Sequence, residues 1–273
     1  MKKYILVVLI LCLAGLFLSG HYGGKRVLRI GVECDYAPNN WLETEPSDTN
    51  FPIENEAGYY AEGYDLQIAK HVADSLHAEL VVRKIDWNDL IPALNRGEID
   101  AIFSGMTDSR ERRGRALFSN VYDIAQTEYS IIVNKASPYA KAKTRDDFSG
   151  ARLVAQKNTN LDDAIARIPG AVHMPPVNTV SEMLNMVVNN EADGTVINYD
   201  TGQTYERKYK NLTLIRFPKG MGFSLDFNGI CAGVRKGNTE LLDDINAALA
   251  KISRRERQSI MDHAVLRAIN VQP

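Results

Sequence analysis

The chain has 273 residues, enough to bury a sizeable core as one large domain or as two lobes of ordinary size. Hydrophobic residues make up 45% and charged residues 24%, the balance of a soluble globular protein. A formal charge of -2 excludes the basic excess of a general nucleic-acid binder, so any cluster of positive charge serves a local purpose.

The N-terminal stretch MKKYILVVLILCLAGLFLSG carries Lys2 and Lys3 and then an apolar run from Tyr4 to Leu18. That run falls short of the roughly 20 residues a membrane-spanning helix needs and has the layout of a secretory signal. Residues 1–20 are therefore expected to be a signal peptide cut near Ser19 or Gly20, or, since no Ala-x-Ala site is present, an uncleaved anchor. Cys12 follows bulky Ile10 and Leu11, which argues against lipid modification. The expected location is periplasmic or otherwise exported. Export leaves Cys34 and Cys231, for which two buried small hydrophobes are the preferred reading over a disulfide.

From Val27 short apolar runs alternate with helical patterns. VLRIGVE is expected as a strand, YDLQIAKHVADSL as an amphipathic helix, ELVVRKI as a strand, LIPALNRG as a short helix ending at Gly97, and IDAIFSG as a strand. EYSIIVNK, ARLVAQKN, GTVIN, LTLIRF and FNGICAGVRKG follow as further strands. LDDAIARI, VNTVSEMLNMVVNNEAD, TGQTYERKYK and TELLDDINAALAKIS are the helices, with Asn178 or Thr179 opening the second and Asn238 or Thr239 capping the last. The stretch from Asn39 to Ala69 has seven acids and no Lys, Arg or His, and much of it reads as a solvated surface loop beside the cleft, the alternative being a loop that concentrates a cation there. The alternation signals an α/β fold with mainly parallel sheets, and two groups of units suggest two lobes. Ligands of such sheets bind beyond the carboxyl ends of the strands, here in a cleft between the lobes.

Chemistry gathers at those ends. The strand IDAIF stops at Ser104-Gly105-Met106-Thr107, a turn whose N–H groups favour an anion, and Arg110, Arg112, Arg113 and Arg115 follow. One guanidinium above this cradle would grip a carboxylate with two bonds, while the others keep the helix solvated. The Gly-Lys-Ser/Thr of a phosphate loop is absent. After the first strand, GVECDYAPNNW presents Glu33, Asp35, Tyr36 and Trp41, and Trp87 follows the second strand, offering a carboxylate and aromatic walls to a polar or cationic group. In the second half, Gln156 ends a strand and Thr159 or Asn160 opens a helix, while Asn198 ends another strand with Asp200 close behind, either able to accept from an ammonium group. The histidines (His21, His71, His77, His173, His263) are scattered, without metal-ligand spacing, and no Gly-x-Ser-x-Gly nucleophile motif occurs. No metal and no cofactor is expected.

In order and spacing, GVECDYAPNNW, EGYDLQIAK, WNDLIPALNRGEIDAIFSGMTDSRERRGRALFS, GARLVAQKNT, NNEADGTVIN and NGICAGVRKGNTELLDDINAAL resemble the exported solute-binding proteins of polar amino-acid ABC importers, solute-binding protein family 3. The resemblance runs from about Val27 to Ala268. It implies a two-lobe type II periplasmic-binding-protein fold with two hinge crossover strands. Lobe one would comprise 27–130 plus 225–273 and lobe two 131–224. It also implies that Arg112 clamps a ligand α-carboxylate, with Thr107 and the main chain at Ser104 and Gly105 completing the cradle. Glu33, Tyr36 and Trp87 would meet the ligand side chain, and Gln156, Thr159 and Asn160 would supply second-lobe contacts. Two departures stand out. Lys157-Asn158-Thr159 replaces the common Gln-Gly-Thr, and Asn198 replaces the usual acid for the α-ammonium group, leaving Asp200 as the nearby carboxylate.

The function so implied is capture of a polar, cationic or amide-bearing amino acid and its delivery to a membrane ABC permease, by a monomer and without nucleic acid. The alternatives are an arogenate or cyclohexadienyl dehydratase-like enzyme on the same fold, with Glu33 as general acid, and an extracytoplasmic sensor working with a membrane partner.

Overall fold

The computed structural model describes residues 26–123, 129–218 and 229–270. The leader expected over 1–20 lies outside the described residues, as does the hinge crossover expected near the lobe boundaries. Among the described residues no helix is long and apolar enough to cross a membrane.

Two five-stranded sheets organise the chain. The first runs in the order Ala78–Lys84, Arg26–Val32, Ala101–Ile102, Gly233–Arg235, Ala116–Phe118. Its first three strands are parallel, and Gly233–Arg235 pairs antiparallel with both of its neighbours. The second runs Val172–His173, Arg152–Val154, Gly194–Asn198, Tyr129–Asn134, Leu212–Ile215, again three parallel strands followed by antiparallel pairing. Tyr129–Asn134 is buried at every position, as a strand flanked by two others and covered by helices must be. This is the two-lobe type II periplasmic-binding architecture expected from the sequence.

The helices follow local signals. Tyr64–Ser75 buries Leu66, Ile68, Ala69, Val72 and Ala73 along one face. Leu90–Arg96 stops at Gly97, whose φ of 76° is the left-handed cap that glycine adopts without strain. Val180–Val188 is opened by Thr179, which accepts from Glu182 N, and Thr239–Leu249 by Asn238, which accepts from Leu241 N.

Several elements depart from expectation, among them the unanticipated edge strands Ala116–Phe118 and Val172–His173. The acidic stretch is not loop throughout: Asp35–Tyr36, Asn40–Glu43, Phe51–Pro52 and Tyr60–Glu62 form a four-stranded antiparallel sheet, while Glu45, Asp48 and Glu54 stand exposed between its strands as expected. Two of its acids turn inward. Buried Glu62 pairs with Arg267 at 3.2 Å, and buried Asp65 accepts from Tyr122 Oη at 2.7 Å and Asn40 Nδ2 at 2.8 Å. The chain also continues into an unanticipated helix, Arg254–Asn270, that buries only Met261, Ala264 and Ala268. It packs against both Tyr64–Ser75 and the second-lobe helix Tyr199–Lys208. Cys34 and Cys231 are buried and free.

Candidate functional site

The site assembles where the two sheets face each other. In the first, Ala101–Ile102 gives way to Phe103-Ser104-Gly105, and Ser104 Oγ accepts from Glu33 N at 2.9 Å, tying two adjacent strand ends together. Gly105 sits at φ 61°, and a Cβ there would lie 2.9 Å from Cδ1 of Tyr36. Only glycine lets that ring come so close to the turn. Ser109 then caps the single-turn helix Arg110–Arg113 by accepting from Arg112 N.

Of the four clustered arginines, Arg112 alone is buried. Arg113 pairs with Asp108 at 2.6 Å and Arg115 lies 3.7 Å from Glu111, both on the solvated face, and Arg110 is exposed. Nη1 of Arg112 donates to the carbonyl and to Oγ1 of Thr107, both at 2.9 Å, and Nη2 donates to the carbonyl of Asn158 in the second lobe at 2.9 Å. The guanidinium lies 5.0 Å over the Trp87 ring, a cation–π contact. Burial lowers its pKa to about 10, which leaves it charged at neutral pH. Among the described residues it forms no ion pair with a carboxylate.

Glu33, 6% exposed, stands beside this cradle and accepts from Gln156 Nε2 across the cleft. Burial, with the charge of neighbouring Asp35 second, pushes its pKa up to about 8 against the opposing hydrogen bond from Gln156. At neutral pH it keeps its proton. Tyr36 Oη receives hydrogen bonds from Asn198 Nδ2 at 3.1 Å and Thr201 Oγ1 at 3.4 Å, both second-lobe groups. Thr159 caps the helix Asn160–Ile165, and Asn160 Nδ2 donates to Tyr129 Oη at 3.1 Å.

All the expected positions except Arg112 and Asp200 line one cavity of about 30 Å³. Arg112 sits behind Thr107 and Trp87. Asp200 lies in the first turn of Tyr199–Lys208, off the cavity, with its carboxyl pKa raised by burial. Two contributors were missed by sequence reasoning. Leu161 adds an apolar wall, an ordinary helix residue with no signal to mark it. Asn158, at φ 59°, accepts through its carbonyl from both Arg112 Nη2 and Trp87 Nε1, and its Nδ2 donates to Asn88 Oδ1 at 2.7 Å. The departure at Lys157-Asn158 was its signal, since Asn is among the few non-glycine residues at ease in that conformation. Among the described residues no group of three His, Cys, Asp or Glu side chains is placed to hold a metal.

The chain is similar to known amino-acid-binding proteins. The arginine-binding extracellular protein ArtP of Bacillus subtilis (strain 168) is 25% identical over 260 residues, covering 92% of this chain and 93% of its own. A probable histidine-binding protein of Campylobacter jejuni is 26% identical over 236 residues, 84% of this chain and 87% of its own. Both names describe amino-acid-binding proteins. The solved structure of an ancestral arginine-binding protein bound to arginine matches with a TM-score of 0.69 at 25% identity, over 88% of this chain and 99% of that one. The family-wide pattern of the bacterial extracellular solute-binding proteins, family 3, matches residues 28–263. That span takes in both sheets and every residue of the cleft named above, and the chain belongs to this family.

Proposed function

We propose that the protein captures a polar amino acid, cationic or amide-bearing, between its lobes and hands it as a monomer to an ABC permease. The observation that carries this reading is Arg112: a buried guanidinium with neutral partners only, which a ligand carboxylate would complete. Leaving a buried charge without a counter-charge is costly, so the site favours an occupant that brings one. Thr107, Ser104 and Gly105 offer the remaining cradle. Glu33, Tyr36 and Trp87 face the side chain, and Gln156, Thr159 and Asn160 close from the other lobe. Asn198, a neutral amide that lines the cavity, is the group nearest the α-ammonium in this reading, and Asp200 stands beyond it. Contacts from both lobes give the ligand a differential affinity for the closed form, which is what drives closure.

A thermal-shift screen of the common amino acids identifies the ligand, because tight binding raises apparent stability. Calorimetry with Arg112→Ala then tests the clamp. The expected loss is about 2–5 kcal/mol, the range for truncating one member of a buried charge pair. An affinity equal to wild type would remove Arg112 from the site.

A further inference from the structure

Asn158 and Asn88 meet across the rim of the cleft. Asn158 follows Arg152–Val154 of the second sheet, and Asn88 lies in the single helical turn Trp87–Asp89 that follows Ala78–Lys84 of the first. The backbone of Asn158 is left-handed, with φ at 59°, and its carbonyl accepts from Arg112 Nη2 at 2.9 Å and from Trp87 Nε1 at 3.3 Å. Its side chain reaches past both, Nδ2 donating to Asn88 Oδ1 at 2.7 Å. Asn158 is exposed and Asn88 half-buried, and neither lines the small cavity.

The guanidinium of Arg112 is thus braced from both sides when the lobes meet, Nη1 by Thr107 of its own lobe and Nη2 by Asn158 of the other. A guanidinium is a rigid planar fork, so holding both of its ends fixes where the remaining N–H groups point. The side-chain bond to Asn88 works differently. It lies outside the cavity and touches no ligand group, so it favours the closed form alike whatever lies inside. Glycine would adopt the left-handed backbone as readily but has no amide to offer.

We propose that Asn158 is a positioning residue and a latch. Its carbonyl sets Arg112 for the ligand carboxylate as the lobes close, and its side chain, with Asn88, holds them shut and sets how long the ligand stays. The inference rests on the reading of Arg112 as carboxylate clamp and adds the contact that ties this clamp to closure.

Stopped-flow tryptophan fluorescence on the full chain tests it, with L-arginine, L-histidine and L-glutamine as probes. Asn158→Gly keeps the backbone and removes the latch, and Asn88→Ala removes it from the opposite side. Each is expected to raise the dissociation rate by about two- to tenfold, the worth of one hydrogen bond between neutral groups. The factor should be the same for every probe that binds, with the association rate unchanged. The double variant should release ligand no faster than either single one, as two ends of one contact require. Asn158→Val, whose branched side chain is strained at positive φ, displaces the carbonyl too and should weaken binding further than Asn158→Gly. Dissociation rates equal to wild type in both single variants, or effects that add, overturn the latch and leave the amino-acid reading intact. Asn158→Val no weaker than Asn158→Gly overturns the role of the carbonyl. If none of the probes binds, the reading of a cationic or amide-bearing ligand fails, and small-angle scattering then decides the latch alone. A larger radius of gyration in Asn158→Gly and Asn88→Ala than in wild type supports it, and an equal radius overturns it.

Discussion

Glu33 holds a proton at neutral pH in the closed cleft, and that proton distinguishes the candidate ligands. A guanidinium or ammonium brought beside it would favour the ionised form, so binding a cationic side chain must expel the proton. Affinity for such a ligand is expected to rise by up to about tenfold per pH unit below about 8 and to level off above. Calorimetry at pH 7 in buffers of different ionisation enthalpy should then register proton release. An amide-bearing ligand should show neither effect, and Glu33→Gln should abolish both. The same group bears on stability. Its folded pKa of about 8 lies above the ordinary 4.5, so its contribution is complete below 4.5 and is lost as pH rises toward 8. Glu33→Gln is expected to flatten that part of the stability profile. The acid's place beside the cleft was legible from GVECDYAPNNW. Its protonation was not, because the desolvation that raises its pKa, and the bond from Gln156 that opposes the rise, come from residues remote in the chain.

At the level of elements, what local signals marked is what formed, and what was misread depends on distant partners. The four-stranded sheet has strands of two to four residues with Pro, Asn and Gly between them, too short for a period-2 pattern. It is secured by Gly63, at φ 136°, where a Cβ would lie 2.3 Å from the Asn39 carbonyl oxygen. Gly63→Ala is expected to cost about 3 kcal/mol or more in a urea unfolding experiment, strain and backbone overlap adding together. The helix Arg254–Asn270 escaped notice because it has no apolar stripe. Polar around most of its circumference, it is anchored by Arg257, which donates to the carbonyls of Ile252, Val121 and Leu249. Arg257→Ala should lower stability by about 2 kcal/mol by leaving those acceptors short of a donor.

For the whole molecule, the closed arrangement rests on polar bonds rather than on a greasy interface. Asp35 accepts from Ser181, Asn158 donates to Asn88, Gln156 to Glu33 and Asn198 to Tyr36. Such contacts are readily exchanged for water or for a ligand, as a hinged receptor requires. Asp35→Ala, which removes both hydrogen bonds from Ser181, is expected to shift the unliganded protein toward an open form. Small-angle scattering would read this as a larger radius of gyration, and saturating ligand should reverse it. The sequence by itself determined the alternation of strands and helices, their caps, and the cradle at Ser104-Gly105-Met106-Thr107 with one arginine above it. All of these follow from periodicity, backbone freedom and hydrogen bonding within a few residues. Only the tertiary structure decided which arginine is buried without a carboxylate, that Asn158 and Leu161 join the cleft, and that Asp200 stands off it. Those outcomes depend on what burial removes from water and on which side chains meet across the gap, and both are set by parts of the chain far apart in sequence.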